Sequence, residues 1–187
     1  MKYPLLENAF SNQDIKKGIQ VLKTKYITMS EKTRKFEKTF AQKNQSNYAL
    51  MCNSGSSANL LMVAAACNPI RKKRLKKNDE VIIPSVCWST SLWPLLQYGL
   101  KPVFVDVDIK TLNIDIDQLK KKITKKTKAI MAVHVLGLSS DMTEIIKICK
   151  KRNLILFEDT CESLGSKFKN KKLGNFGDFG SYSFYYS

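Results

Sequence analysis

Apolar and polar positions change period along the chain. From Ser11 onward, Ile15, Ile19 and Leu22 recur at helical spacing, and Ser11-Asn12-Gln13-Asp14 places an acid three residues after a serine, the pattern of a capping box. A helix is predicted there, and a second from near Ser30 that buries Phe36 and Phe40. After that, short apolar runs alternate with helical patterns. Strands are predicted at Tyr48–Cys52, Glu80–Ile83, Pro102–Val105, Ala129–Val135, Leu154–Phe157 and Ser181–Tyr185. The intervening helices are predicted at Ser56–Cys67, Trp88–Tyr98, Asp115–Lys122 and Asp141–Arg152. Apolar strands separated by helices indicate a mostly parallel sheet covered on both faces, an α/β three-layer sandwich.

Composition narrows the function classes. The 187 residues, 43% hydrophobic and 26% charged, suit one globular domain with a sizeable core. No apolar run reaches the ~18 residues of a membrane span, and the start lacks the features of a secretory signal. The five cysteines are odd in number and form no CxxC pair, which argues against a disulfide framework or a zinc site and fits a cytoplasmic protein. The net charge of +16 would draw in polyanions. Yet 28 of the 32 basic residues are lysine, spread over helices and loops, and no aromatic-basic RNA motif is present. The charge is read as a lysine-rich solvated surface, and neither a nucleic-acid nor a membrane partner is expected.

Ligands of a parallel sheet bind beyond the C-terminal strand ends, and three loops there carry unusual residues. Asn53-Ser54-Gly55-Ser56-Ser57-Ala58 opens a helix whose first amides can hold an anion, although serine capping alone accounts for the same residues. Trp88, in Pro84–Thr90, offers a flat face for a planar ring with a stacking energy on the order of 1 kcal/mol. It suits a core anchor equally, and Trp93 is expected in the core. The strand Leu154–Phe157 runs directly into Glu158 and Asp159. A carboxylate buried there needs a cationic or donor partner, and local capping by Asp159 with Glu162 is the alternative. His134, the single histidine, makes no metal site and is expected to be a hydrogen-bonded structural residue. Ser183 follows a glycine-punctuated turn and could bond a phosphate or its own neighbours.

Taken in order, these pieces resemble one enzyme family. Ser54–Ala58, Asp79–Pro84, Pro102–Asp108, Thr127–Ile130, His134–Gly137, Asp141-Met142, Glu158-Asp159, Leu164–Ser166, Gly177-Asp178 and Ser183-Phe184 stand at the spacings of the DegT/StrS sugar aminotransferases. These are pyridoxal 5'-phosphate (PLP) enzymes of the type I aminotransferase fold. The resemblance implies a partial cofactor-binding large domain over residues 31–187, preceded by a helical segment over residues 1–30. It also implies a role for each site residue. Ser56, Ser57 and Ser183 would hold the cofactor phosphate, Trp88 would stack on its ring, and Asp159 would pair with the ring nitrogen. Glu162 stands at a cofactor-facing position where many aminotransferases carry glutamine or histidine.

That departure, with Cys87–Pro94 and Glu158–Gly165, is most similar to the branch that removes a sugar 3-hydroxyl, the GDP-4-keto-6-deoxymannose 3-dehydratase type. In that branch a histidine replaces the Schiff-base lysine, and the cofactor cycles through pyridoxamine 5'-phosphate (PMP). The resemblance further implies a nucleotide-linked keto sugar as substrate, a homodimer, and cell-surface polysaccharide synthesis. The lysine or histidine of the family is expected just after Ser187, and the C-terminal small domain is likewise expected outside these residues. No catalytic residue is therefore assigned among the 187. The chain alone is expected to be inactive and to expose a sheet edge. A sugar aminotransferase and a non-catalytic partner subunit are the alternatives.

Overall fold

In the computed structural model of the chain, residues 10–185 are described. They divide into two compact units, one comprising the residues up to Met51 with those from Phe184 on, the other Cys52–Ser183.

The first unit contains α1 (Asn12–Lys23) and α2 (Glu31–Asn44). The predicted capping box is formed: the Ser11 hydroxyl accepts from the Asp14 amide at 3.2 Å, and the Ser11 amide donates to the Asp14 carboxylate at 3.0 Å. Ile15, Ile19 and Leu22 share a face, yet no residue of α1 is buried. Phe36 is exposed and Phe40 half-buried, so neither is the buried anchor the sequence predicts. They form an aromatic trio with Phe184, with centroids 5.7–6.1 Å apart. The predicted strand Tyr48–Cys52 is not formed, and Tyr48, Leu50 and Met51 are exposed. An apolar run becomes a strand only where a neighbour completes its ladder. Here the Met51 amide instead donates to the Glu37 carboxylate at 2.8 Å.

The second unit is the three-layer sandwich. Strands β1 (Glu80–Pro84), β2 (Lys101–Val105), β3 (Thr127–Val133), β4 (Ile155–Asp159) and β7 (Phe179–Ser181) form one sheet in the order β2-β1-β3-β4-β7. Every pairing in that sheet is parallel. The strand alternation sorts residues to two faces. Val81, Ile83, Ala129, Met131, Ile155 and Phe157 pack with residues of α3 (Gly55–Cys67) and α4 (Ser89–Gln97). Ile82, Ile130, Ala132 and Leu156 pack with α5 (Ile116–Lys122) and α6 (Met142–Arg152). Both clusters are closed to solvent, which is why these strands read as unbroken apolar runs.

Several boundaries move for identifiable reasons. Trp88, Asp115 and Asp141 precede their helices as N-caps, the two aspartates accepting first-turn amides. The last strand is Phe179–Ser181, not Ser181–Tyr185, because its partner β4 ends at Asp159, opposite Ser181. Conversely β4 extends two residues beyond its apolar run and carries both acids inside the sheet. A two-residue hairpin, β5 (Lys167–Phe168) with β6 (Lys171–Lys172), has no hydrophobic signature and escaped the pattern. Trp93 is half exposed, since the buried positions of α4 are Ser91, Pro94 and Leu95.

Candidate active site

Beyond the C-terminal strand ends, α3 and α4 begin where β4 and β7 finish. Ser54 is extended at the N-cap of α3, and its hydroxyl accepts from the Ser57 amide at 3.1 Å. With the Ser57 amide capped by Ser54, the amides of Gly55 and Ser56 are the first-turn donors that have no partner within the helix. Ser56 is exposed and Ser57 half-buried on this turn. Gly55 is buried, and a Cβ added there would lie 2.7 Å from the Ser183 Cβ and 2.8 Å from the Cys161 sulfur. Only glycine lets the helix start approach the Ser183 segment this closely. Two expected phosphate ligands, Ser56 and Ser57, thus lie on the turn that meets the third.

Asp159 ends β4 on the α3/α4 face and is 4% exposed. Its Oδ2 accepts from Asn59 Nδ2 at 2.7 Å and from Ser91 Oγ at 2.7 Å, while Oδ1 accepts from the Cys161 amide at 3.1 Å. Asn59 in turn accepts from the Ser181 hydroxyl at 2.6 Å. Among the described residues, no lysine, arginine or histidine forms a salt bridge with Asp159. A buried carboxylate with three neutral donors and no counter-charge fits a cationic ring N–H. Asp159 caps no helix, because none forms over residues 160–164, and its local bond is limited to the Cys161 amide. Burial first, and then the Asp159 charge, push the thiols of Cys87 and Cys161 up from their ordinary range, so both stand beside it as neutral groups.

Trp88 is 63% exposed at the start of α4, three residues before Ser91. It lies outside the core, with its ring available to a ligand. Glu162 is exposed, and its Oε2 accepts from the Leu136 amide at 2.9 Å. Leu136 lies at φ 51° in the turn after β3, and the Glu162 carboxylate meets the backbone of that left-handed turn.

Glu158 points to the opposite face and is fully buried. It accepts from the amides of Gly174, Phe176 and Gly177 at 2.8, 2.6 and 2.7 Å, and lies 3.3 Å from His134 Nε2. His134 Nδ1 accepts from the Ser140 amide at 3.2 Å, so the proton sits on Nε2 and points at Glu158. His134 is the structural histidine that the sequence suggests, and among the described residues no cluster could hold a metal ion.

Sequence reasoning did not single out Asn59, Ser91 or Ser181. A signal existed for two of them: Asn59 interrupts the apolar α3 and Ser91 the inward stripe of α4, each at most 1% exposed.

The profile of the DegT/DnrJ/EryC1/StrS aminotransferase family matches residues 8–187. The chain belongs to that family. Among relatives in the family, GDP-4-keto-6-deoxy-D-mannose 3-dehydratase of Escherichia coli O55:H7 (strain CB9615 / EPEC) is 48% identical over 187 residues, covering 100% of this chain and 48% of the relative. A crystal structure of a variant GDP-4-keto-6-deoxymannose-3-dehydratase with bound GDP-perosamine superposes with a TM-score of 0.92 at 48% identity, over 97% of this chain and 47% of that one. The E. coli 3-dehydratase with bound hydrated PLP gives a TM-score of 0.90 at 49% identity, over 94% of this chain and 45% of that one. The chain spans about half the length of the curated relatives it matches. The α/β sandwich with its parallel sheet is therefore the family fold. Among the described residues, no helix is long and apolar enough to cross a membrane.

Proposed function

We propose that these residues form the cofactor-binding layer of a PLP- or PMP-dependent enzyme that removes the 3-hydroxyl of a GDP-linked 4-keto-6-deoxy sugar. The buried Asp159 carboxylate, lacking a counter-charge at the end of β4, carries the reading. The 48% identity to a 3-dehydratase supports the choice of reaction. In this reading the hydroxyls of Ser56, Ser57 and Ser183, with the first amides of α3, bind the cofactor phosphate. Trp88 covers one face of the ring. Asp159 accepts the proton-bearing ring nitrogen and stabilises its positive charge. When bound, the cofactor supplies an electron sink for negative charge developing at the substrate-bearing atom. Glu162 holds the turn after β3 and lends a negative charge to the cofactor side of the site. The substrate is a nucleotide-linked keto sugar, the assembly a homodimer, and the setting cytoplasmic synthesis of a surface polysaccharide.

Transfer of an amino group to the same class of sugar is the second reading, favoured by the family's aminotransferase membership. The enzyme carrying this chain, incubated with PMP and GDP-4-keto-6-deoxymannose, decides between them by mass spectrometry of the sugar. Loss of the 3-hydroxyl oxygen supports dehydration, and gain of an amine supports transfer. Absence of either change, together with no change in cofactor absorbance on binding, would sink the proposal. Asp159→Asn should lower PMP affinity by about 100-fold, since a neutral amide replaces the charge opposite the ring nitrogen. Unchanged PMP affinity in that variant would count against the role of Asp159. The residue encoded after Ser187 gives an independent check, histidine favouring the dehydratase and lysine the aminotransferase.

A further inference from the structure

The three donors that meet Asp159 come from three separate elements: Asn59 from α3, Ser91 from α4 and the Cys161 amide from the turn after β4. Two of them converge on one oxygen, Oδ2, and the third holds Oδ1. A carboxylate fixed at both oxygens from three directions cannot rotate about its terminal torsion without breaking a bond. Its one remaining lone pair, on Oδ1, is therefore aimed before any ligand arrives. Asn59 adds a second constraint. Its amide could face Asp159 with either end, but a carboxylate only accepts, so the NH2 end must point at it. The Ser181 hydroxyl matches that orientation by donating to Asn59 Oδ1 at 2.6 Å. All four side chains are at most 4% exposed, so water offers no substitute partner.

We infer that Asn59 and Ser91 are positioning residues that aim Asp159 at the cofactor ring nitrogen, and that Ser181 acts through Asn59 by anchoring its carbonyl end. The inference rests on the assignment of Asp159 to that nitrogen under the proposed function. It reaches three residues that the resemblance does not name.

The test uses PMP labelled with 15N in its ring, bound to the enzyme carrying this chain. Two quantities are read: the dissociation constant and the ring-nitrogen chemical shift, which separates a protonated, hydrogen-bonded ring from a neutral one. Ser91→Ala and Asn59→Ala should each weaken PMP binding about tenfold and move the ring signal toward the neutral value. Ser91→Thr retains the hydroxyl and should stay near the wild-type shift. Ser181→Ala should weaken binding about threefold, and it should add nothing to Asn59→Ala because both act at one point. Variants that lose thermal stability while keeping the wild-type affinity and ring signal would show a merely structural role and overturn the inference. Full additivity of Ser181→Ala with Asn59→Ala would overturn the relay through Asn59. Failure of the wild-type enzyme to bind PMP in its protonated-ring form would instead overturn the cofactor assignment itself.

Discussion

Glu158 and Asp159 stand side by side at the end of β4, and the alternation of the strand sends them into different layers. Glu158 enters the α5/α6 side, where three amides from a turn 16–19 residues downstream and the His134 ring close around it. Asp159 enters the α3/α4 side, where its donors reach across 68 and 100 residues of sequence from helices that begin at the ligand end of the sheet. Both carboxylates are buried, so burial does not tell their roles apart. Supply does. Glu158 is saturated by its own fold and has nothing left to offer a ligand. Asp159 is held by two neutral side chains and the Cys161 amide, and among the described residues it has no positive partner. A buried acid closed in by backbone amides serves the framework; one oriented chiefly by side chains and without a counter-charge is the residue the proposed function gives to a ligand.

The largest effect separates the two acids directly. Glu158→Gln turns an acceptor-only group into one whose NH2 faces backbone amides, and should destabilise the fold by about 3 kcal/mol or more in urea unfolding. Asp159→Asn should cost the fold only about 1–2 kcal/mol while lowering PMP affinity by about 100-fold. Equal stability losses would erase the distinction. Gly177→Ala attacks the same framework indirectly. Gly177 donates to Glu158, and an added Cβ would press on the Leu156 carbonyl oxygen. A loss of about 1–3 kcal/mol is expected, with PMP affinity per folded molecule unchanged. Trp88→Ala should give the smallest change in stability, within about 0.5 kcal/mol, because the ring is mostly exposed. Its PMP affinity should fall roughly three- to tenfold through lost stacking, as read by fluorescence titration.

The layered fold was legible because a parallel sheet buried on both faces leaves continuous apolar runs such as Val81–Ile83 and Ile155–Phe157. The loops of the site were legible because chemistry-bearing residues follow those runs at once. What escaped was of three kinds. Tyr48–Cys52 has the composition of a strand, but strand formation depends on a partner that local sequence does not specify. Asn59, Ser91 and Ser181 are separated by tens of residues, and each alone reads as an ordinary helix or turn residue. Their meaning appears only when α3, α4 and β7 converge on Asp159. Glu158 escaped differently, since the adjacent Asp159 shares its chemistry and only the strand's alternation assigns them to opposite faces.

The bond from Ser181 to Asn59 closes a loop of 122 residues. Closing a loop of that size costs chain entropy that only the packed sheet can offset, and contacts of such range form late in folding. While the chain is being synthesised from its N-terminus, helices α3 and α4 and strands β1 to β4 can be complete while the carbonyl end of Asn59 still lacks its Ser181 partner. The start of α3 is thus among the early-made parts of the molecule, and the fully braced Asp159 carboxylate among the last.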